Sequence, residues 1–138
     1  MAIPSDNLIL NQNCPCGQQR PLRHCCGAFI FTPATAPTAE TLMRSRYTAF
    51  CLREADFLLA TWHPSTRPKT LEFDPAQHWL GLKIIACQGG QGSDSHGQVE
   101  FLARYKIQGR AYRLQETSRF LHLAEGWVYL DGDIRDNA

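Results

Sequence analysis

The order of apolar and polar residues predicts helices in the first half of the chain. Thr38 is a suitable N-cap for a helix that carries Met43, Tyr47 and Phe50 at helical spacing. A second helical pattern stops at Pro64. It has apolar residues at i, i+3, i+4 and i+7: Ala55, Leu58, Leu59 and Trp62.

The pair Asp74-Pro75 has the residue types of an N-cap and a first helical turn. It therefore predicts a third, short helix that extends through Trp79.

The second half of the chain has the pattern of strands. Strands are predicted at 82–87, 99–107, about 111–121, and 127–130. A glycine-rich loop at 89–97 and turn signals at 108–109 and 125–126 separate them. Helices followed by an antiparallel meander predict an α+β fold, with helices packed on a curved antiparallel sheet.

Composition limits the classes of protein to consider. A chain of 138 residues with 43% hydrophobic residues fits one compact domain with a small appendage. The net charge of +1 disfavours a nucleic-acid-binding function, although it leaves room for a local basic patch. Residues 1–13 lack the features of a secretory signal, and no apolar run reaches the roughly 20 residues of a membrane helix. These features predict a cytoplasmic protein without membrane insertion.

Four of the six cysteines form a cluster with the spacing C-x-C-x8-C-C: Cys14, Cys16, Cys25 and Cys26. Four thiolates form a standard structural zinc site, and Gly17 and Gly27 follow the two pairs where tight turns are needed. Disulfides within each pair would be strained, whereas cross-pairing would need an oxidising compartment. An iron–sulfur cluster is the other metal alternative. The two remaining cysteines, Cys51 and Cys87, lie in apolar patterns and are predicted to be buried core thiols.

Two resemblances extend this interpretation. Residues 14–27 resemble the SEC-C motif, the zinc module at the C-terminus of the SecA translocation ATPase, and all four ligand positions match. Blocks spread over nearly the whole chain resemble the bacterial YchJ family: 42–50, 61–65, 79–82, 99–101, 116–121 and 127–132. The resemblance implies a SEC-C zinc knuckle at residues 1–30, followed at residues 31–138 by a cone-shaped domain of the nuclear-transport-factor-two-like type. It implies no known activity.

Arg46 and Glu116 are candidate polar residues of the cone domain's interior. Arg46 lies within the apolar arc of the helix after Thr38, and Glu116 lies on an apolar-rich strand face. A buried charge needs a partner, so we expect the two to approach each other inside the cone, directly or through a water or an anion. Direct pairing would be structural, whereas a gap lined by Tyr47, Trp62 or His63 would be a binding site.

Two of these pocket candidates have structural alternatives. His63 could instead cap the C-terminus of the preceding helix. Tyr47 could be a buried tyrosine bonded to backbone. No catalytic motif is present, so no catalytic residue is assigned.

The function expected from these features is that of a protein-interaction or adaptor module. The knuckle would present Arg20, Leu22 and Arg23 to another protein, as the resemblance to the SecA tail suggests. One alternative is a small-ligand-binding protein or enzyme that uses the pocket of the cone domain. Another is a ribosome- or RNA-associated factor that uses the arginines of the zinc loop, which the near-neutral charge disfavours.

Overall fold

The computed structural model describes residues 7–135. Expectations that concern residues 1–6 and 136–138 lie outside the described residues. The helices are α1 (Asn7–Asn11), a 3₁₀ turn (Leu22–His24), α2 (Gly27–Ile30), α3 (Ala39–Leu52) and α4 (Ala55–Ala60). The strands are β1 (Gln77–Gly89), β2 (His96–Ile107), β3 (Arg110–Leu123) and β4 (Gly126–Arg135). The predicted α+β fold is confirmed. Across residues 7–135, none of the helices has the length and apolar character that crossing a bilayer would require.

Helix α3 is the central helix and begins where the sequence predicts. The hydroxyl of Thr38 accepts a hydrogen bond from the N–H of Thr41 at 3.1 Å. The helix ends at Arg53, whose backbone is left-handed with φ 58° and whose N–H bonds to carbonyls of the last turn.

Helix α4 is shorter than predicted and ends at Ala60 rather than at Trp62. The chain after it leaves the helix because it pairs with β4. The N–H of His63 donates to the carbonyl of Tyr129 at 2.7 Å, and the N–H of Tyr129 donates to the carbonyl of Thr61 at 2.8 Å. This pairing places Trp62 beside Tyr129.

The four strands form one antiparallel meander in the order β1-β2-β3-β4. Bulges interrupt the β1–β2 ladder twice and the β3–β4 ladder once, which bends the sheet. The inner face of the sheet carries buried residues such as Val99, Phe101 and Phe120. Helix α3 contacts β1, β2 and β4, and therefore covers this inner face.

The prediction of a short helix from Asp74-Pro75 to Trp79 is wrong, because this segment forms a turn and the start of β1. The carboxylate of Asp74 accepts from the N–H of Ala76 at 2.9 Å, and its carbonyl accepts from the N–H of Gln77 at 3.0 Å. Asp and Pro favour turns as strongly as helix starts, and here they form the turn that opens β1. Strand β1 therefore begins five residues earlier than predicted and places Trp79 opposite Tyr105.

The described part of the knuckle, residues 7–30, shares its hydrophobic core with the cone domain. Leu10, Leu22 and Ile30 belong to the same buried cluster as Leu42 and Phe120. The apolar core is therefore continuous across the boundary between the two segments.

Candidate metal centre and cavity

The backbone of the knuckle forms a tight loop around the first cysteine pair. Asn13 and Pro21 form an isolated antiparallel bridge, and the N–H of Cys14 donates to the carbonyl of Arg20 at 2.8 Å. Gly17 adopts φ 89°, a value that L side chains rarely take, and so permits the turn after Cys16. The 3₁₀ turn then brings the second pair back to the first.

This fold gathers the four cysteines of the cluster. Their sulfur atoms all lie within 4.8 Å of one another, and all four residues are buried. The Sγ atoms of Cys16 and Cys25 are 3.5 Å apart, and both residues are free thiols. Zinc–sulfur bonds of about 2.3 Å in a tetrahedron place sulfurs roughly 3.8 Å apart. The donor set and its spacing therefore fit one tetrahedral metal ion.

The electrostatics of the cluster favour a cation at its centre. A hydrogen bond from Cys16 holds the pKa of Cys14 well below its ordinary value. The same kind of contact with Cys14 raises the pKa of Cys26 well above its ordinary value. Two arginines lie nearby: Arg20 Nη2 is 3.9 Å from the sulfur of Cys25, and Arg44 Nη1 donates to the carbonyl of Cys16. One thiolate is thus stabilised locally, whereas several thiolates need a bound cation.

The knuckle residues expected to meet a partner differ in exposure. Arg20 and Arg23 are exposed, and Arg23 donates to the side chain of Asn11 at 3.0 Å. Leu22 is only 1% exposed and packs in the core, so its side chain is not presented to solvent. A Cβ on Gly27 would lie 2.6 Å from the carbonyl oxygen of Leu22, so this close packing requires a glycine.

Helix α3 separates the cysteine cluster from a cavity on its other side. On the knuckle side, the sulfur of Cys14 lies 3.5 Å from the hydroxyl of Thr48, and Arg44 Nη1 donates to the carbonyl of Cys16 at 3.0 Å. On the sheet side, a cavity of about 240 Å³ lies between α3 and the inner face. Its lining residues are Met43, Arg46, Tyr47, Phe50, Trp62, Trp79, Phe101, Ala103, Leu114, Glu116, Ser118 and Tyr129.

Arg46 is the buried charge of this cavity. Arg46 is only 4% exposed. Its Nη1 donates to the carbonyl of Leu58 and to the hydroxyl of Thr61, both at 2.8 Å. The guanidinium lies 5.0 Å from the ring centroid of Trp62 and 4.8 Å from that of Tyr129. Desolvation lowers the pKa of Arg46 to about 10, so the group stays charged at neutral pH. Its remaining N–H groups, on Nε and Nη2, have no hydrogen-bond partner among the described residues.

Glu116 lines the same cavity without direct contact to Arg46. Within residues 7–135, no ion pair of 4 Å or less joins the two side chains. Glu116 Oε2 instead accepts from Ser118 at 2.7 Å and from the hydroxyl of Tyr129 at 3.4 Å. Burial raises the pKa of Tyr129 to about 12, so this phenol remains a donor. Arg46 and Glu116 are therefore separated by a gap and do not form a direct ion pair. Of the two arrangements considered from the sequence, the gap is the one associated with a binding site.

The other pocket candidates divide between the cavity and the surface. Tyr47 and Trp62 line the cavity, and the indole Nε1 of Trp62 is buried with no hydrogen-bond partner among the described residues. Burial raises the pKa of Tyr47, whose hydroxyl also approaches the Cys51 thiol and the backbone of Gly81. His63 lies outside the cavity lining, and its Nδ1 bonds to Ser65 at 2.7 Å.

Sequence reasoning missed two polar groups of the cavity, Ser118 and Tyr129. Ser118 follows Glu116 by two residues on the same strand and therefore shares its face, a period-2 signal that could have identified it. Tyr129 comes to Arg46 only through the pairing of β4 with the chain after α4, which has no local signal.

The prediction that Cys87 is a buried core thiol is wrong. Cys87 is exposed and donates to the carboxylate of Glu40 at 3.5 Å. It lies near the end of edge strand β1, beside the first turn of α3. Cys51 is partly buried, as a residue beside the core.

Comparisons with known proteins give consistent matches over most of the chain. The family model described as "YchJ, middle NTF2-like domain" matches residues 38–132. A UPF0225 protein of Bordetella pertussis is 52% identical over 127 residues, which cover 88% of this chain and 92% of that protein. A UPF0225 protein of Polaromonas sp. is 48% identical over 137 residues, covering 93% and 97%.

Two solved structures of SEC-C motif containing proteins share the fold. The solution structure from Rhodopseudomonas palustris has a TM-score of 0.77 and 29% identity, and the match covers 91% of this chain and 100% of that one. The crystal structure from Psychrobacter arcticus has a TM-score of 0.75 and 25% identity, with coverage of 95% and 87%.

Proposed function

The chain belongs to the YchJ family, and from this premise we propose that it is a zinc-containing protein whose cone domain binds a small, mostly apolar molecule. The observation that carries the proposal is the buried Arg46, which faces a cavity with unused hydrogen-bond donors. The zinc knuckle supports this cavity from the far side of α3.

Zinc is the metal that best suits the knuckle. Four buried thiolates in a closed tetrahedron form a typical structural zinc site, with no open position for chemistry. The test is elemental analysis of protein purified under reducing conditions, and we expect about one zinc per chain and no colour. A brown protein with visible absorption would show an iron–sulfur cluster instead.

The cavity's lining suggests the chemistry of the ligand. Its larger part is apolar and includes Phe50, Trp79 and Phe101. Its polar groups are connected, because Tyr129 contacts both Arg46 and Glu116. A ligand with an apolar body and one acceptor group, such as a carboxylate or a carbonyl, would satisfy Arg46 while the body fills the apolar part.

The free donors of Arg46 favour a ligand over a purely structural role. A buried guanidinium is costly unless its hydrogen bonds are made, and its aromatic neighbours supply no acceptor for Nε and Nη2. The unpartnered Nε1 of Trp62 adds a second buried donor in the wall of the same cavity.

The three tryptophans provide a test that reports the position of the ligand. Trp62 and Trp79 line the cavity, whereas Trp127 does not. In ¹H–¹⁵N spectra of zinc-loaded protein, small aromatic carboxylates from a fragment set should shift the indole signals of Trp62 and Trp79 and leave that of Trp127 unchanged.

A pair of variants separates binding from non-specific effects. Arg46→Met should abolish the shifts, while the exposed Arg53→Met at the end of α3 should retain them. Equal shifts in all three indoles, or shifts that survive in folded Arg46→Met protein, would rule out a ligand site built on Arg46.

A second candidate function is protein interaction through the knuckle, favoured by the exposure of Gly17–Arg20 and of Arg23. These residues include two cations, Arg20 and Arg23, and lie in the same loop as the cysteine cluster. Proximity labelling in cells would compare the wild-type protein, Arg23→Gln and Arg46→Met. An adaptor role predicts that one partner protein is labelled by the wild-type protein and by Arg46→Met, but not by Arg23→Gln.

A further inference from the structure

Glu116 brings a free acceptor into the cavity that holds the free donors of Arg46. Its Oε2 accepts from the hydroxyl of Ser118 at 2.7 Å and from the hydroxyl of Tyr129 at 3.4 Å. Its other oxygen, Oε1, has no hydrogen-bond partner among residues 7–135. The lining of this one cavity therefore presents donors and an acceptor to whatever fills it.

The neighbouring strand leaves room for this carboxylate. Glu116 and Ser118 lie on the same face of β3, and Gly132 of β4 lies opposite Ser118. A Cβ on Gly132 would lie only 2.8 Å from the carboxyl carbon of Glu116, which is too short for two carbon atoms. Any larger residue at Gly132 would therefore push the carboxylate away from its place in the cavity.

The two charges of the cavity balance each other. Among the described lining residues, Arg46 and Glu116 are the charged ones, and the remainder are neutral at pH 7. A ligand with a negative charge would satisfy Arg46 but would add a second negative charge near Glu116, in a partly desolvated space. An uncharged ligand keeps the balance.

The free acceptor requires a donor on the ligand, and a neutral donor suits it best. An ammonium has three N–H groups to satisfy, whereas Glu116 offers one free oxygen. Burying a charged donor with unmade hydrogen bonds costs much more than burying a neutral one. A primary carboxamide carries a carbonyl acceptor and N–H donors on the same carbon and has no net charge.

We propose that the ligand of this cavity is an uncharged carboxamide on an apolar body, which accepts from Arg46 and donates to Oε1 of Glu116. The aromatic part of the lining, including Phe50 and Trp79, surrounds the apolar body. This inference rests on the proposed small-molecule site and restricts the chemistry of its ligand. It also makes Glu116 a specificity-determining residue and Gly132 a positioning residue.

Three probes of nearly equal shape test the proposal: benzamide, acetophenone and benzoate. Acetophenone keeps the carbonyl but replaces the amide nitrogen by a methyl group, and benzoate replaces it by a charged oxygen. Each is titrated into the full-length, zinc-loaded protein at pH 7, and the indole signals of Trp62 and Trp79 report binding. Benzamide should bind at least about fivefold more tightly than either other probe, because only benzamide donates to the carboxylate.

A change of charge at Glu116 should change this order. In Glu116→Gln the cavity keeps its shape but has a net positive charge, so benzoate should bind at least about fivefold more tightly than it does to the wild-type protein. Gly132→Ala should weaken benzamide about fivefold by displacing the carboxylate. Gly81→Ala is the matched control in β1 and should leave the affinity unchanged, since its Cβ meets no atom within 4 Å.

The outcomes separate this inference from the function on which it rests. If none of the three probes shifts the two indole signals, the cavity site itself fails and the inference fails with it. If acetophenone or benzoate binds the wild-type protein as tightly as benzamide, the cavity site stands and the carboxamide assignment is overturned. The same holds if folded Glu116→Gln protein keeps the wild-type order of affinities.

Discussion

The two sides of helix α3 carry different kinds of structure. On the knuckle side, small residues such as Ser45 and Thr48 are fully buried against the cysteine cluster, and the packing leaves no room even for a Cβ at Gly27. On the sheet side, large residues such as Tyr47 and Phe50 surround a cavity. One side is closed around the candidate metal centre, and the other leaves a cavity beside a buried charge.

This difference indicates a division of labour along one helix. The closed side gives α3 a fixed position, because the sulfur of Cys14 contacts the hydroxyl of Thr48 and Arg44 donates to the carbonyl of Cys16. The open side uses that fixed helix to hold Arg46 over Trp62 and Tyr129. Changes on the closed side should therefore affect stability first, and changes on the open side should affect binding first.

The largest expected effect follows loss of a metal ligand. Cys16→Ser should destabilise the protein by more than about 3 kcal/mol, because the metal's binding energy is part of the folding energy of the knuckle. Thermal melts and zinc content measure the effect. Cys87→Ser is the control and should leave both nearly unchanged, since Cys87 is an exposed thiol outside the cluster. Similar losses in both variants would contradict the assignment of the ligands.

A smaller effect is expected when the packing of the closed side is disturbed without loss of a ligand. In Gly27→Ala the new methyl group meets the carbonyl of Leu22 at 2.6 Å, which should cost about 1–3 kcal/mol. Chemical denaturation measures it. Gly81→Ala on β1 is the control, because no atom lies within 4 Å of its added Cβ. If Gly27→Ala is as stable as Gly81→Ala, the closed side is looser than described.

The open side should show weak coupling between its two charges. Arg46 and Glu116 have no direct contact but share Tyr129, so a double-mutant cycle of Arg46→Met and Glu116→Gln should give a coupling of only about 0.5–1 kcal/mol. Arg46→Met alone should still cost about 1–3 kcal/mol, because the carbonyl of Leu58 loses its donor. A coupling of several kcal/mol would show a direct ion pair and favour a structural role for both residues.

The smallest effect concerns Arg104 and Arg113, two exposed cations that lie directly opposite each other in the β2–β3 register. Arg113→Glu should stabilise the protein by about 0.5 kcal/mol at low salt, because it replaces repulsion across the β2–β3 ladder with attraction. Lys69→Glu is the control, since Lys69 is an exposed cation outside the sheet. Loss of stability in Arg113→Glu would show that the repulsion is already relieved within the protein.

The sequence predicted local features better than features that depend on distant pairing. The four cysteines lie within 13 residues, so their spacing alone brings them together, and the capped start of α3 at Thr38 is equally local. The turn at Asp74 was misassigned because Asp-Pro suits both a turn and a helix start, and only the pairing of Trp79 with Tyr105 decides between them. Arg46 and Glu116 were predicted from facing patterns, whereas Tyr129, which lies between them, depends on a bridge to Trp62.

Hydrogen–deuterium exchange before and after zinc removal tests the shared role of α3 most directly. The comparison uses the full chain, zinc-loaded and then treated with a strong chelator under reducing conditions. If α3 is held by the metal centre, chelation should reduce protection in residues 7–30 and also in Ala39–Leu52, while the β2–β3 ladder keeps most of its protection. Loss confined to residues 7–30, with α3 fully protected, would contradict the account and show that the knuckle and the cavity are independent.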